Sequence, residues 1–124
     1  HNFNLEISII QISLDSYVVN KYENEGIKYI DKYHDYEHHL IIKRSNTIIV
    51  DTIFNKENFM ESSDSNFLTI SVFHGYWFKE LKNNKIELFA VISKPETDWS
   101  YAFHHYFDLK TNKFEIKEDI EDDL

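Results

Sequence analysis

The sequence predicts a mainly β domain, an antiparallel sheet of six to eight strands in a barrel-like or two-layer sandwich form, with one short helical turn. First, segments of alternating apolar and polar residues follow one another along the chain, with short polar turns between them. Second, two hairpins in the second half contain almost no glycine or proline: LTISVFHGYWFKEL-KNNK-IELFAVIS and SYAFHHYFDL-KTNK-FEIKE. We expect one domain over residues 1–117, followed by an acidic tail over residues 118–124.

The N-terminal segment alternates in two phases. Its apolar residues are Leu5, Ile7 and Ile9 in the first phase and Ile10, Ile12 and Leu14 in the second. A shift of one residue inside a long strand predicts a β-bulge at this point, and two strands with a tight link are the alternative. The polar segment 20–26 is predicted to be a loop.

The middle of the chain predicts two further strands and a helical turn. Residues 29–43 and 47–54 form the strands, and residues 44–46 form the turn between them. Residues 55–60 have the length of one helical turn, and the Asn55 side chain is able to cap its free backbone N–H groups. Residues 62–66 are polar and predict a loop.

The two hairpins have turn residues suited to their positions. Asn83 and Asn84 tolerate a positive φ at little cost, and Thr111 and Asn112 play a similar part in the second hairpin. The segment KPETD (residues 94–98) lies between the hairpins. It predicts a rigid loop, because proline fixes φ and Thr and Asp side chains bond nearby backbone N–H groups.

Composition limits the classes of protein that fit. Hydrophobic residues make up 42% of the 124 positions and aromatic residues 16%, which indicates a folded domain with a core rich in Phe, Tyr and Ile. The net charge of −9 disfavours binding to nucleic acid or anionic membranes, and favours a monomer or a partner with a basic face. The absence of cysteine excludes disulfides, Cys zinc sites and Cys nucleophiles.

No segment of the sequence approaches the roughly 20 consecutive apolar residues that span a bilayer. The first residue is His1 rather than methionine, so we expect a piece of a longer protein, with any signal peptide or lipid-anchor cysteine upstream. Contact with a membrane is expected only through such an anchor.

Histidines are the candidate metal ligands. The segment HDYEHH (residues 34–39) carries three of them, and others follow on later strands. On a strand, His34 and His38 face the same side about 13 Å apart, so a shared metal ion needs a histidine from a neighbouring strand. The candidate set is His34, His38 and His104, and the alternative is that these are surface and cross-strand side chains. We expect no resident cofactor.

Catalytic chemistry has little support in the sequence. Gly-x-Ser-x-Gly, phosphate-binding loops and Gly-x-Gly-x-x-Gly are absent, and the chain has only two glycines. Acidic residues are so abundant that a pair suited to glycoside hydrolysis arises easily by chance. We therefore predict no catalytic residue.

Aromatic residues are the candidate ligand contacts. Trp77 is out of phase with the apolar face of its strand, while Trp99 and Tyr101 follow a predicted loop. Rings in such positions are able to line a ligand cavity or to stack on a sugar. The alternative is packing in the core or at its rim, since alternate rings of a strand fill a core.

The order of features from residue 33 onward resembles a Bacteroidetes family of small lipoproteins, the domain of unknown function (DUF) 4738. The resemblance rests on the strand 33–43, TIFNKENF (residues 52–59), the strand 67–78, KPETD (residues 94–98) and the acidic residues 119–123. It implies a secreted β domain of the cell envelope, anchored to lipid through a cysteine upstream of His1. It implies no activity for any residue.

Three functions are compatible with these observations. The first is a non-enzymatic envelope lipoprotein domain that binds a partner protein or a small apolar ligand. The second is an acidic cytoplasmic antagonist, such as an immunity protein that blocks a basic toxin. The third is a metal-dependent or glycan-acting enzyme, which requires His or carboxylate groups that converge in a cleft.

Overall fold

The computed structural model describes residues 4–60 and 65–119, which form seven β-strands and two short helical turns. The strands are β1 (Leu5–Asn24), β2 (Ile27–Arg44), β3 (Thr47–Phe54), β4 (Val72–Lys82), β5 (Lys85–Ser93), β6 (Ser100–Asp108) and β7 (Lys113–Glu118). A 3₁₀ turn, Lys56–Asn58, and the four-residue helix α1, Ser65–Leu68, lie between β3 and β4. The described strands form two antiparallel sheets, in the orders β1-β2-β3 and β4-β5-β6-β7.

One hydrophobic core joins the two sheets. Alternate residues of each strand face this core, as the two-residue period of a strand dictates. The buried side chains include Leu40 and Ile42 of β2, Phe54 of β3, Ile86 and Leu88 of β5, and Phe103 and Phe107 of β6. The prediction of a mainly β antiparallel domain with six to eight strands is thereby confirmed.

The barrel-like alternative is wrong. β1 and β4 are edge strands of different sheets, and no backbone ladder joins them in the part of the chain that the structure describes. A side chain bridges them instead, since Gln11 Nε2 donates to the carbonyl oxygen of His74 over 3.2 Å. The register of β4 shifts between Phe73 and Gly75 and again further along the strand. Such bulges bend an edge strand and hinder its pairing.

β1 contains the predicted bulge, but at a different place. It pairs with β2 in constant register from Leu5 to Ser13, so the predicted shift beside Ile10 does not occur. The register changes between Ser13 and Tyr17, where three residues of β1 stand opposite Asp35. Ile10 is an exposed apolar residue on the outer face. Because it is apolar and directly follows Ile9, the sequence pattern indicated a change of phase at this point.

Beyond the bulge, β1 and β2 continue as a two-stranded ribbon, which we call the arm (residues 17–34). The predicted loop at 20–26 is wrong, because β1 runs to Asn24 and only Glu25 and Gly26 form the turn. Both turn residues have a positive φ, 53° and 79°, which suits a tight hairpin. Every residue from 21 to 30 is exposed, so polar side chains are tolerated on both faces of this ribbon.

The segment between β3 and β4 confirms the predicted helical turn and its cap. Asn55 Oδ1 accepts from the backbone N–H of Asn58 over 3.2 Å, and Asn58 Oδ1 accepts from that of Asn55 over 2.7 Å. The predicted loop 62–66 is wrong at its end, because residues 65 and 66 begin α1; residues 61–64 lie outside the described residues. The strand predicted from Phe67 begins only at Val72, because Phe67 belongs to α1 and packs into the core from there.

Both hairpins of the second sheet are confirmed. Asn83 and Asn84 form the first turn with φ values of 55° and 63°, and Asn112 has a φ of 59° in the second. In the loop between the hairpins, Thr97 Oγ1 donates to the Lys94 carbonyl over 2.9 Å and accepts from a backbone N–H two residues later. The predicted part of Thr97 in holding this loop is therefore confirmed.

The last described residues, Glu118 and Asp119, extend the second sheet. Glu118 is the last residue of β7, and the backbone N–H of Asp119 donates to the carbonyl of Ala102 on β6 over 2.8 Å. Residues 120–124 of the predicted tail lie outside the described residues. No helix in residues 4–60 or 65–119 is long and apolar enough to cross a membrane.

Candidate functional site

The gap between the two sheet edges forms a groove of about 500 Å³, which we call the β1–β4 groove. Its lining residues are Ile7, Ile9 and Gln11 of β1, His38 of β2, and His74, Gly75, Tyr76, Trp77 and Phe78 of β4. This volume lies within the range of small-molecule sites, which are mostly apolar with a few convergent polar groups. Of the six residues predicted as site residues, the groove brings together two, Trp77 and His38.

Trp77 forms an exposed aromatic wall of the groove. Its side chain is 46% exposed, and its ring packs against that of Phe89 with centroids 5.2 Å apart. The position of the ring depends on Gly75, because a Cβ atom at residue 75 would lie only 2.8 Å from the Trp77 ring. The glycine inside β4 therefore leaves room for the indole to lie back over the strand.

His38 supplies a buried polar atom. Its side chain is only 2% exposed, and Nε2 donates to the carbonyl oxygen of Phe73 over 3.0 Å. Burial lowers the pKa of His38, against the opposing effect of the hydrogen bond to Phe73. The neutral ring with its proton on Nε2 leaves Nδ1 as an acceptor, and Nδ1 has no hydrogen-bond partner.

The chemistry of the groove follows from these two residues and their neighbours. Isoleucine side chains and aromatic rings give it apolar surface, and polar side chains join them, among them His38, whose buried Nδ1 has no hydrogen-bond partner. A hydrogen-bond donor that reached this acceptor would satisfy it, and an unpaired buried polar atom is destabilising.

The other two predicted aromatic residues lie elsewhere. Trp99 and Tyr101 both pack on Phe67 of α1, with ring centroids 4.8 Å and 4.9 Å away. Tyr101 also lines a second cavity of about 440 Å³, beside the 3₁₀ turn and β7. These contacts describe rim packing of α1 against the second sheet, and they separate both residues from Trp77.

The three predicted metal ligands have separate surroundings. His34 lies at the base of the arm, where its Nδ1 is 2.8 Å from the Leu14 carbonyl, while His38 faces the groove. His104 lies on β6 and contacts the carboxylates of Glu87 and Asp119. Within the described residues, no group of three or more His, Asp or Glu side chains is placed to hold a metal ion.

The contacts of His104 use both of its ring nitrogens. Nδ1 is 2.6 Å from Glu87 Oε2, and Nε2 is 3.0 Å from Asp119 Oδ1. Lys79 Nζ approaches the same Glu87 oxygen to 3.5 Å. An imidazole with both nitrogens engaged has none left to take a proton from a substrate, so this cluster serves to tie β6 to β5 and to the end of β7.

Two buried polar pairs were not predicted from the sequence. Lys56 Nζ is 3.0 Å from Asp35 Oδ2 and donates to the carbonyl of Ser71 over 2.6 Å, which ties the 3₁₀ turn to β2 and to the start of β4. The Tyr76 hydroxyl is 2.8 Å from His105 Nδ1 inside the core. Burial lowers the pKa of His105 to about 4 and raises the pKa of Tyr76.

Sequence reasoning also missed the β1 side of the groove. Ile7 and Ile9 show only the alternation of an ordinary strand, so their position opposite β4 depends on how the two sheets pack. One signal was available: an isolated glycine inside a strand pattern marks a bulge or a close approach. Gly75 is such a residue, and its neighbours line the groove.

Comparison with known proteins gives one family. The model of a domain of unknown function, DUF4738, matches residues 2–112 of the chain. The match includes strands β1 to β6 and ends just before β7. No curated protein matches the chain.

Proposed function

The chain belongs to the family of domains of unknown function DUF4738, and we propose that it is a non-enzymatic binding domain of the bacterial cell envelope. Its ligand is an apolar molecule with one hydrogen-bond donor, held in the β1–β4 groove. The observation that carries this proposal is His38, a lining residue of a groove that also has isoleucine and aromatic side chains, whose buried Nδ1 is an acceptor without a hydrogen-bond partner.

The free energy of an unpaired acceptor supports a ligand at this place. A buried polar atom without a hydrogen bond is destabilising by about 1–3 kcal/mol, so a protein gains when a ligand donor reaches that atom. Trp77 and Phe78 are both substantially exposed, and their rings offer flat surfaces on which an aromatic or conjugated ligand packs.

A binding role without catalysis agrees with the titratable groups. Burial lowers the pKa of His38, and because Nε2 donates to the Phe73 carbonyl, the other nitrogen of the neutral ring is an acceptor. The Glu87–His104–Asp119 cluster engages both imidazole nitrogens. Neither arrangement pairs a nucleophile with a free base, which covalent and acid–base catalysis both need.

The envelope location rests on the resemblance to small lipoproteins described above. The coding sequence upstream of His1 tests this part of the proposal. A signal peptide that ends in a lipobox cysteine would support it. A start methionine immediately before His1 would contradict it and would favour the acidic cytoplasmic antagonist instead.

The ligand class is tested with two fluorescent probes of similar shape. N-phenyl-1-naphthylamine carries one N–H donor, and 1-phenylnaphthalene carries none. We expect the amine to bind the purified domain with increased fluorescence, and the His38→Phe variant to lose about tenfold in affinity for the amine, the value of one hydrogen bond. Affinity for the hydrocarbon should stay unchanged in this variant.

A matched pair of tryptophan variants locates the bound probe. Trp77→Ala should weaken the binding of both probes, whereas Trp99→Ala should weaken neither, because the two indoles have similar exposure, 46% and 43%, and only Trp77 lines the groove. Thermal melts of all variants establish that each remains folded. Equal effects of Trp77→Ala and Trp99→Ala would reject the groove as the binding site.

A further inference from the structure

The arm exposes much of the apolar surface that the described part of the chain presents to solvent. Six large apolar or aromatic side chains of the arm are substantially exposed: Tyr17, Val19, Tyr22, Ile27, Tyr29 and Ile30. Tyr22 and Tyr29 stack across the two strands with ring centroids 4.9 Å apart. A concentration of apolar side chains on a surface is typical of a protein–protein contact.

The arm also has a free strand edge. Among the described residues, β1 pairs only with β2, so the N–H and C=O groups on its other edge have no ladder partner along the arm. A two-stranded ribbon is marginally stable by itself in water, and natural proteins normally cover or block such edges. Another strand added to this edge would supply both the missing ladder and a wider sheet.

The charge of the arm differs from that of the rest of the chain. The whole chain carries a net charge of −9. Within residues 17–34 the charges balance, with Lys21, Lys28 and Lys32 against Glu23, Glu25 and Asp31. A second copy of this acidic chain therefore meets less repulsion along the arm than the net charge of the whole chain implies.

The free edge of β1 is complementary to itself. Its sequence from Asn20 to Asn24 reads Asn-Lys-Tyr-Glu-Asn, which is symmetric about Tyr22 except that opposite charges exchange places. In an antiparallel pair of two such strands centred on Tyr22, Lys21 of one copy stands opposite Glu23 of the other, twice. The two Asn residues face each other in the same way, and the tyrosines meet on the axis.

We propose that two copies of this chain associate through the arm, with their β1 edges paired antiparallel about a two-fold axis at Tyr22. Two-fold symmetry is the commonest form of homo-oligomer, and it requires a self-complementary patch of this kind. Opposite charges directly across strands stabilise the pair, and like charges there destabilise it. The proposal departs from the monomer that the net charge favours.

Sedimentation velocity from micromolar to near-millimolar concentration tests the proposal. We expect a concentration-dependent dimer for the unmodified chain. Lys21→Glu places four carboxylates across the two-fold axis and should lower the association constant at least about tenfold. Glu23→Lys should do the same with four ammonium groups.

The double variant Lys21→Glu/Glu23→Lys restores opposite charges across the axis, so dimer formation should return to the unmodified level. Lys82→Glu is the matched control, because it makes the same charge change at an exposed residue of β4 and should leave association unchanged. All the substituted residues are exposed, and thermal melts establish that the variants fold. A monomer at every concentration, or a dimer that Lys21→Glu and Lys82→Glu weaken equally, would overturn the proposal.

Discussion

The arm and the two-sheet body use the same sequence pattern with opposite results. In both regions apolar and polar residues alternate along strands, yet Ile86 of the body is 0% exposed and Ile30 of the arm is 60% exposed. The difference lies in the second layer. β5 packs against the other sheet across the core, whereas no second sheet of the described residues covers the arm. Alternation therefore specifies a strand, and only tertiary packing decides whether its apolar side becomes core.

Polar groups show the same contrast. The body buries ionisable side chains and satisfies most of them with specific partners, as Lys56 and Asp35 demonstrate. In the arm, five of the six charged residues are exposed, and Asp31 is half-buried. Where the arm joins the body, the Tyr33 hydroxyl donates to Glu96, and this bond, with smaller effects of burial and charge, raises the pKa of Tyr33 to about 12.

The largest effect is expected in the core. Ile86→Ala removes buried methyl and methylene groups and leaves a cavity, so it should lower the free energy of unfolding by about 4 kcal/mol. Ile53→Ala makes the same change at an exposed position of β3 and should lower it by less than about 1 kcal/mol. Urea denaturation measures both values. Similar losses of unfolding free energy in the two variants would show that Ile86 and Ile53 do not differ in burial as described.

The buried ion pair should have the next largest effect. Lys56→Met leaves the Asp35 carboxylate buried without its cation, at a loss of about 3 kcal/mol in urea denaturation. Adding Asp35→Asn removes the uncompensated charge, so the double variant should be more stable than Lys56→Met alone. Lys43→Met, which breaks the exposed 4.0 Å pair with Glu6, is the control and should change stability by less than about 1 kcal/mol. A double variant less stable than Lys56→Met would contradict this account.

A smaller effect should appear as the pH falls. The unfolded pKa of histidine is about 6.5, and burial lowers the folded pKa of His105 to about 4. The contribution of neutral His105 to the free energy of unfolding is fully present above pH 6.5 and is lost between about pH 6.5 and 4, because only the unfolded chain takes up the proton in that range. We expect this loss to be about 2–3 kcal/mol.

His38, whose pKa is also lowered by burial, acts in the same direction. Urea midpoints measured across this pH range give the slope for the unmodified chain. His105→Phe should be less stable at neutral pH, because Tyr76 loses its partner, yet its stability should fall less steeply with acid. An unchanged slope in His105→Phe would remove His105 as the cause.

The strands were predictable because their signals are local. Asparagines placed the turn at residues 83–84, and the cap by Asn55 placed the 3₁₀ turn. Two predictions were wrong because they depended on whether a residue is buried or exposed in the folded protein, which the local sequence does not determine. Polar residues 20–24 were predicted to be a loop, but an exposed ribbon needs no apolar face. Ile10 was interpreted as a core residue because it is apolar, but apolar residues are also common on protein surfaces.

The candidate groove was predictable only in part, for a physical reason. Trp77 could be singled out because its phase disagrees with its strand, and Gly75 marks an irregular edge. The unpartnered Nδ1 of His38 could not be predicted, because it depends on a hydrogen bond from Nε2 to Phe73, 35 residues away in sequence. The geometry of a site between two sheets depends on how strands that are distant in sequence pack together, and local sequence patterns do not contain that information.

The smallest effect is expected in the arm, and it tests the comparison most directly. Ile30→Ala repeats in the arm the substitution made at Ile86, but at a side chain that is 60% exposed. Because little apolar area returns to water on unfolding, the loss of stability should stay below about 0.5 kcal/mol in urea denaturation at micromolar concentration. A loss near that of Ile86→Ala would show that another surface covers the arm in solution. Repeating the measurement near millimolar concentration then identifies that surface, because cover by a second copy must grow with concentration and cover by the same chain cannot.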